Sequence, residues 1–425
     1  MSLAALLLAA GLLLCAPASS SDSQLLVTWY APFLSGGGYS SEAFAFANAF
    51  LGLSNMSSLS FAIQQHGDSI NAEFIAGLSK GDRAVLKAMG AGSGLGGRRV
   101  DVCHSEPGAW SAPTPNYRTN DCPRSKQSYS IGRTMFETDS IPSGWSDRLN
   151  FMQEVWVPTE FHREIFAARG VQASKLFVVA EPVDTAFYRP VGTPGWDSAE
   201  AAADGSSELD EHLGALLDLK RQGHFLFLFV GKWERRKGLD VLLEAFASEF
   251  AAGERVALVL LTSSYHSSAS FDAEIEKVLG TRAAEDPPYL LLPPNLPQRM
   301  MPQLYSSADV FVSATRGEGW GRPQVEAMSC GTPVLSTNWS GPTEYLTGAN
   351  GYPLDYELVD SDVWPGHRWA QPNSTHLRQL MREAFEAPAE ARGKGAQARA
   401  DMVKKYSIAE MQRVVRGHME RISSL

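Results

Sequence analysis

The chain has 425 residues, of which 44% are hydrophobic, 10% aromatic and 20% charged, and it carries a formal net charge of −10. That length is too great for one hydrophobic core and suits two, and the composition excludes a disordered or fibrous chain. The acidity excludes a nucleic-acid polyanion as the main partner, and four cysteines are too few to build a disulfide scaffold.

In chain order, residues 2–18 are uncharged and end in Ala16-Pro17-Ala18, a small-x-small pattern suited to signal-peptidase cleavage. The apolar run is shorter than the roughly 20 residues a membrane span needs. Residues 1–18 are therefore expected to be a secretory signal, although no Lys or Arg precedes the run. The expected location is the lumen of the endoplasmic reticulum or Golgi, or outside the cell. In that setting Cys103 and Cys122 either pair or stand as two thiols, and Asn55, Asn338 and Asn373 are glycosylation sequons.

From residue 24 short apolar runs alternate with amphipathic stretches. Residues 25–29, 59–63, 100–103, 129–136, 155–157 and 176–179 read as strands. Residues 40–51, 70–78 and 160–168 read as helices, the last capped by Thr159. Residues 192–223, rich in Gly, Ser, Ala and acids, read as a linker or insertion. A second alternation places strands at 225–231, 256–261, 289–292, 310–314 and 334–336, with helices at 239–250, 271–279, 297–306 and 323–329. From Ser374 the chain reads as helical. The expected fold is α/β, with two Rossmann-like doubly wound parallel sheets and a ligand at the strand carboxyl ends in the cleft between them. The domains fall at 24–191 and 224–390, with a helical tail over 391–425.

Three strand ends carry chemistry. Gly231-Lys232-Trp233-Glu234-Arg235-Arg236-Lys237-Gly238 gathers four cations before a helix start, where free amides and the helix dipole favour an anion. Residues 315–334 hold glycines 317, 319 and 321 around Glu318 and Trp320, then Pro323 at an expected N1 position, Glu326 in the expected first turn and Gly331 at the helix end. Two carboxylates there can accept hydrogen bonds from sugar hydroxyls. Gly36-Gly37-Gly38 follows the first strand of the first domain, a weaker phosphate-cradle signal.

Glu318 and Glu326 form a Glu-x7-Glu motif followed by Ala327-Met328-Ser329-Cys330-Gly331-Thr332-Pro333-Val334. Together with the loop from Gly231 to Gly238, it resembles glycosyltransferase family 4, a retaining, nucleotide-sugar-dependent group of GT-B fold. Looser agreement comes from the Gly36–Gly38 loop, Val155–Thr159, Pro182–Asp184 and Leu304–Val310. Lys232 departs from the pattern, standing where the family usually has Arg; charge is kept but the bidentate fork is lost. The acidic stretch near 195–215 is a second departure.

The resemblance implies that Lys232 and Lys237 hold the donor diphosphate, with Gly231, Gly319, Trp320 and Gly321 around it. Glu318 would contact the donor sugar, Glu326 the ribose, and Gly37 and Gly38 would close on the phosphate. It also implies His104 near the reacting centre, and Glu137 and Asp139 are candidates for binding acceptor hydroxyls. Neither metal nor other cofactor is implied. Partners would be a nucleotide sugar and a carbohydrate or lipid acceptor, and peripheral membrane association stays open. Asn338 falls at this site and is expected to carry no glycan. The aromatic residues Trp29, Tyr39, Trp110, Tyr117 and Trp145 could stack on an acceptor glycan or form core. Rival readings are a nucleotide-sugar epimerase or phosphorylase on the same fold and a catalytically silent glycan-binding protein.

Overall fold

A computed structural model describes residues 25–53, 59–78, 80–89, 97–117, 119–191, 207–251, 253–264, 271–279, 289–292 and 296–425. The expected signal over 1–18, the sequon at Asn55 and the first part of the expected linker lie outside these residues.

The first domain is a six-stranded parallel sheet of β1 (Leu25–Ala31), β2 (Leu59–Gln65), β3 (Arg98–His104), β4 (Tyr129–Arg133), β5 (Glu154–Val157) and β6 (Leu176–Val178), ordered β2-β1-β3-β4-β5-β6. The second is likewise parallel, with β7 (Phe225–Trp233), β8 (Val256–Ser264), β9 (Tyr289–Leu292), β10 (Val310–Ser313), β11 (Val334–Thr337) and β12 (Gly351–Leu354), ordered β12-β11-β10-β7-β8-β9. Apart from the half-buried edge strands β6 and β9, the Val- and Leu-rich strands are largely buried on both faces, as parallel sheets covered by helices require. In each sheet strand order reverses beside its first strand, between β1 and β3 and between β7 and β10. These switch points open a crevice at the strand carboxyl ends, where ligands bind in such folds.

The helix Glu160–Ala168 has its expected bounds, and Thr159 Oγ1 accepts from the His162 amide at 3.2 Å. Three features depart from expectation. Ser207–Arg221, inside the expected linker, is a helix. A two-stranded antiparallel hairpin, β13 (Tyr356–Asp360) with β14 (Arg368–Pro372), follows β12. The tail is not a separate unit. Its last helix, Ile408–Ser423, crosses back and inserts Met411, Val415, Met419 and Ile422 into the core of the first domain. Those positions lie on one helical face, and Arg421 fastens the helix to buried Glu154 at 2.7 Å.

Cys103 and Cys122 are joined by a disulfide across 19 positions, tying the end of β3 to the following loop. In the chain-entropy view a closure of that size stabilises by about 3 kcal/mol. Replacing both cysteines by serine is expected to lower the unfolding free energy read by urea titration by that amount, with a lower midpoint. An unchanged midpoint would show the bond to be without effect on stability.

Candidate donor site

The switch point of the second sheet brings together the two loops that the sequence singles out. After β7 the chain makes a short turn, Arg235–Lys237, and enters the helix Leu239–Glu249 through Gly238. Gly238 has φ +68°, and a Cβ there would lie 1.7 Å from the Ala314 carbonyl oxygen at the end of β10, so no other residue fits. Behind the turn, Arg316 is a buried brace. Its guanidinium reaches Asp240 at 2.8 and 2.9 Å and lies over the Trp369 ring.

Glu318 sits at the centre. Lys237 Nζ donates to both of its carboxylate oxygens at 2.8 Å, and Arg236 Nη1 donates to Oε2 at 3.1 Å. The Glu318 amide donates to Ser340 Oγ at 2.9 Å. Burial pushes the Glu318 carboxyl upward, but Lys237 and Arg236 outweigh it and bring the pKa down to about 2. This carboxylate therefore stays ionised at any physiological pH.

Lys237 and Arg236 are thus the two cations on Glu318, and Lys232 stands exposed at the end of β7. Arg236 also reaches Glu234 at 2.7 Å, Gly317 O at 2.6 Å and, across the cleft, Glu137 of the first domain at 3.7 Å. Sequence reasoning counted Arg236 among four cations but could not rank it, since side-chain reach depends on how the turn folds.

The helix after Gly321 begins at Arg322, which puts Pro323 at its second position and Glu326 in its second turn, not its first. Glu326 is buried, which raises its carboxyl above the ordinary range. It accepts from Tyr305 Oη at 2.9 Å and lies 3.6 Å from Arg322 Nη2. Arg322 was missed by the sequence reading, as was Glu181 just after β6. Glu181 is buried 3.9 Å from Arg322, and its carboxyl is pushed well above the usual range, first by burial and then by the Glu42 charge. Trp320 is a correction. Its ring is buried against Tyr345 and Tyr406 in the core, so only its backbone borders the site. Gly231 lies within β7, backed by the Phe229 ring, and Gly321 is the left-handed residue before the helix.

The first domain contributes the opposite wall. Gly36 and Gly38 are exposed, and a Cβ on Gly38 would meet nothing within 4 Å, so this loop borders open space. A Cβ on Gly317 would fall 2.0 Å from the Glu137 carbonyl oxygen, and Gly319 lies against Met135. These glycines let the two domains meet with their backbones almost touching.

His104 is another correction. It is fully buried, its Nδ1 accepts from the Trp29 indole N–H at 3.0 Å, and its Nε2 lies 2.9 Å from Glu42 Oε2. An indole N–H only donates, so the ring proton sits on Nε2 and points at Glu42. Glu42 in turn receives the buried Arg133 guanidinium at 2.6 Å. Both nitrogens of His104 are used, and it belongs to a charged knot beneath the cleft. Glu137 stays at the cleft and borders Arg236. Asp139 accepts from the Arg368 amide at 2.7 Å and from its guanidinium at 3.1 Å, an interdomain strap. Of the five aromatic residues considered for stacking, Trp29, Trp110 and Trp145 are buried; Tyr39 bonds Thr134 and Tyr117 bonds Glu106. Asn338 is exposed, but the next two residues of its sequon are buried and Ser340 holds the Glu318 amide. Asn373 is exposed and caps a helix by accepting from the His376 amide.

Among the described residues no cluster of three or more His, Cys, Asp or Glu could hold a metal, and no helix is long and apolar enough to cross a membrane.

Comparison with known proteins agrees with this fold. Residues 224–362 match the family model described as glycosyl transferases group 1. The crystal structure of Anabaena HepE in complex with UDP and glucose superposes with a TM-score of 0.63 at 14% identity, covering 94% of this chain and all of that one. The fold is GT-B, and residues 224–362 of the second domain are similar to the group 1 glycosyltransferases. The D-inositol 3-phosphate glycosyltransferase of Rhodococcus opacus (strain B4) is 30% identical over 268 residues, 59% of this chain and 52% of that protein. Spore coat protein SA of Bacillus subtilis (strain 168) is 26% identical over 233 residues, 54% of this chain and 58% of that protein. The chain spans about half the length of the curated relatives it matches.

Proposed function

We propose that the protein is a retaining glycosyltransferase of family 4 that moves a hexose from a nucleoside-diphosphate sugar to an acceptor hydroxyl. The observation that carries this reading is the pair Lys237 and Arg236 converging on Glu318 at the switch point. The solved GT-B neighbour holds UDP and glucose, which favours a UDP-sugar donor.

In the proposed reaction the bond between the anomeric carbon and the diphosphate oxygen breaks, and its electron pair leaves with the diphosphate. The acceptor oxygen bonds the same face of that carbon, and its proton passes to the departing phosphate. Lys237, with Lys232 approaching from the strand end, neutralises the charge growing on the diphosphate. That role needs no metal, and none is part of the proposal. Glu318 accepts from donor sugar hydroxyls, and Glu326 accepts from the ribose. Contact of the two domains through Gly317 and Gly319 excludes water that would hydrolyse the donor. We place the protein in the secretory pathway; the Cys103–Cys122 bond supports this, because disulfides persist in oxidising compartments.

A thermal-shift series with UDP, GDP and ADP tests the donor assignment. Saturation near 100-fold above Kd stabilises by about 2.7 kcal/mol, so UDP should raise the melting temperature by roughly 5–10 °C. No shift with any of the three would overturn the reading. Incubation with donor alone separates it from an epimerase, which would convert the sugar without an acceptor.

A further inference from the structure

The buried or hydrogen-bonded state of the first-domain aromatics leaves open what an acceptor would rest on. The hairpin β13–β14 supplies an answer from the other domain. Among the described residues, Leu358, Val363 and Trp364 are three of the large exposed apolar side chains, and all lie on this hairpin. Trp364 is 42% exposed although one part of its ring is anchored. The Phe136 ring meets it at 5.1 Å and 72°, and the His367 ring lies 6.1 Å away. His367 is itself held by Thr138 Oγ1 at 2.6 Å, so the indole is fixed against the first domain.

This platform is continuous with the candidate site. Phe136, which touches Trp364, directly precedes Glu137, and Glu137 reaches Arg236 on Glu318. On the other flank Asp362, two residues before Trp364, pairs with Arg235 of the basic loop at 2.7 Å. Asp139 and Arg368 form a third polar edge. An exposed, rigid indole rimmed by carboxylates and guanidinium groups fits one kind of occupant. A pyranose ring presents C–H groups on its face and hydroxyls at its edge, so it stacks on the ring and hydrogen-bonds the rim. A lipid tail would need no such rim.

We infer that Trp364 is the stacking platform for an acceptor pyranose at the cleft mouth, with Glu137 placed between it and the donor site to accept from an acceptor hydroxyl. The inference rests on the glycosyltransferase reading. It assigns acceptor recognition partly to the domain that also holds the donor.

The test measures UDP release from UDP-glucose while octyl β-glucoside, octyl β-galactoside or octyl α-mannoside is titrated as acceptor. The parent, W364A and W364F are compared. At least one glycoside should accelerate release in the parent. For that glycoside W364A should raise the acceptor KM roughly tenfold with kcat changed far less, and W364F should restore most of the loss. The same acceptor KM in W364A and the parent overturns the platform, as does failure of every glycoside to accelerate a donor-only release that the parent does show. No nucleoside diphosphate release by the parent from UDP-glucose, GDP-glucose or ADP-glucose, with or without a glycoside, overturns the glycosyltransferase reading itself, which keeps the two failures apart.

Discussion

Lys237→Ala is expected to lower kcat by roughly 10²–10³-fold, the usual cost of removing one preorganised group that stabilises transition-state charge. The loss should be far smaller in stability, because Arg236 still holds the Glu318 carboxylate at 3.1 Å. A second consequence follows from Glu318. Its pKa of about 2 lies below the ordinary carboxylate value, so the stability it contributes is present above that ordinary value and is lost as pH falls toward 2. Removing Lys237 takes away the largest of the effects that lower it, so Glu318 should protonate at higher pH and the acid limb of the pH–stability curve should move upward. Steady-state UDP release and denaturant titrations between pH 3 and 7 read both effects. Equal turnover in variant and parent would remove Lys237 from the proposed mechanism.

The largest stability loss is expected from Glu42→Ala. Glu42 lies in the helix Gly38–Leu51, directly after the glycine loop, and ties it to Arg133 at the end of β4 and His104 at the end of β3. All three side chains are fully buried. Burial pushes the Glu42 carboxyl up, yet Arg133 and His104 outweigh this and hold it below the usual range. Truncation leaves the guanidinium buried without its counter-charge, a cost of about 3–5 kcal/mol. The expected fall in melting temperature is on the order of 10 °C. Glu42→Gln keeps hydrogen-bond acceptance but not charge, and should cost less than the alanine variant. A loss below about 1 kcal/mol for the alanine variant, within the range of ordinary surface changes, would show that the knot is not what holds these strand ends together.

The knot also explains why His104 was misread. A histidine at the end of a parallel strand looks, in sequence, the same whether it faces a cleft or the layer beneath it. Register decides: β3 pairs with both β1 and β4, so the Trp29 indole reaches the ring and Arg133 stands beside His104 on the next strand, sharing Glu42 with it. The same limit applies to Trp320, which sits among glycines in a loop that otherwise lines the site, but whose side chain is the core partner of Tyr345 and Tyr406.

What the sequence by itself determined is the set of local events. Alternating strand and helix patterns gave two doubly wound sheets. The cations from Lys232 to Lys237 marked a basic loop in an acidic chain, and the spaced glycines around Glu318 marked a close approach of backbone. Each of these signals is carried by residues near one another in the chain, where spacing sets which groups share a turn or a strand end. Only the tertiary structure decided the pairings across distance: Arg236 rather than Lys232 beside Lys237 on Glu318, the return of Met411, Val415 and Met419 into the first core, and Trp364 set against Phe136 from the opposite domain. Those contacts depend on strand order, on side-chain reach and on how closely the two domains meet, and no local pattern of residues encodes them.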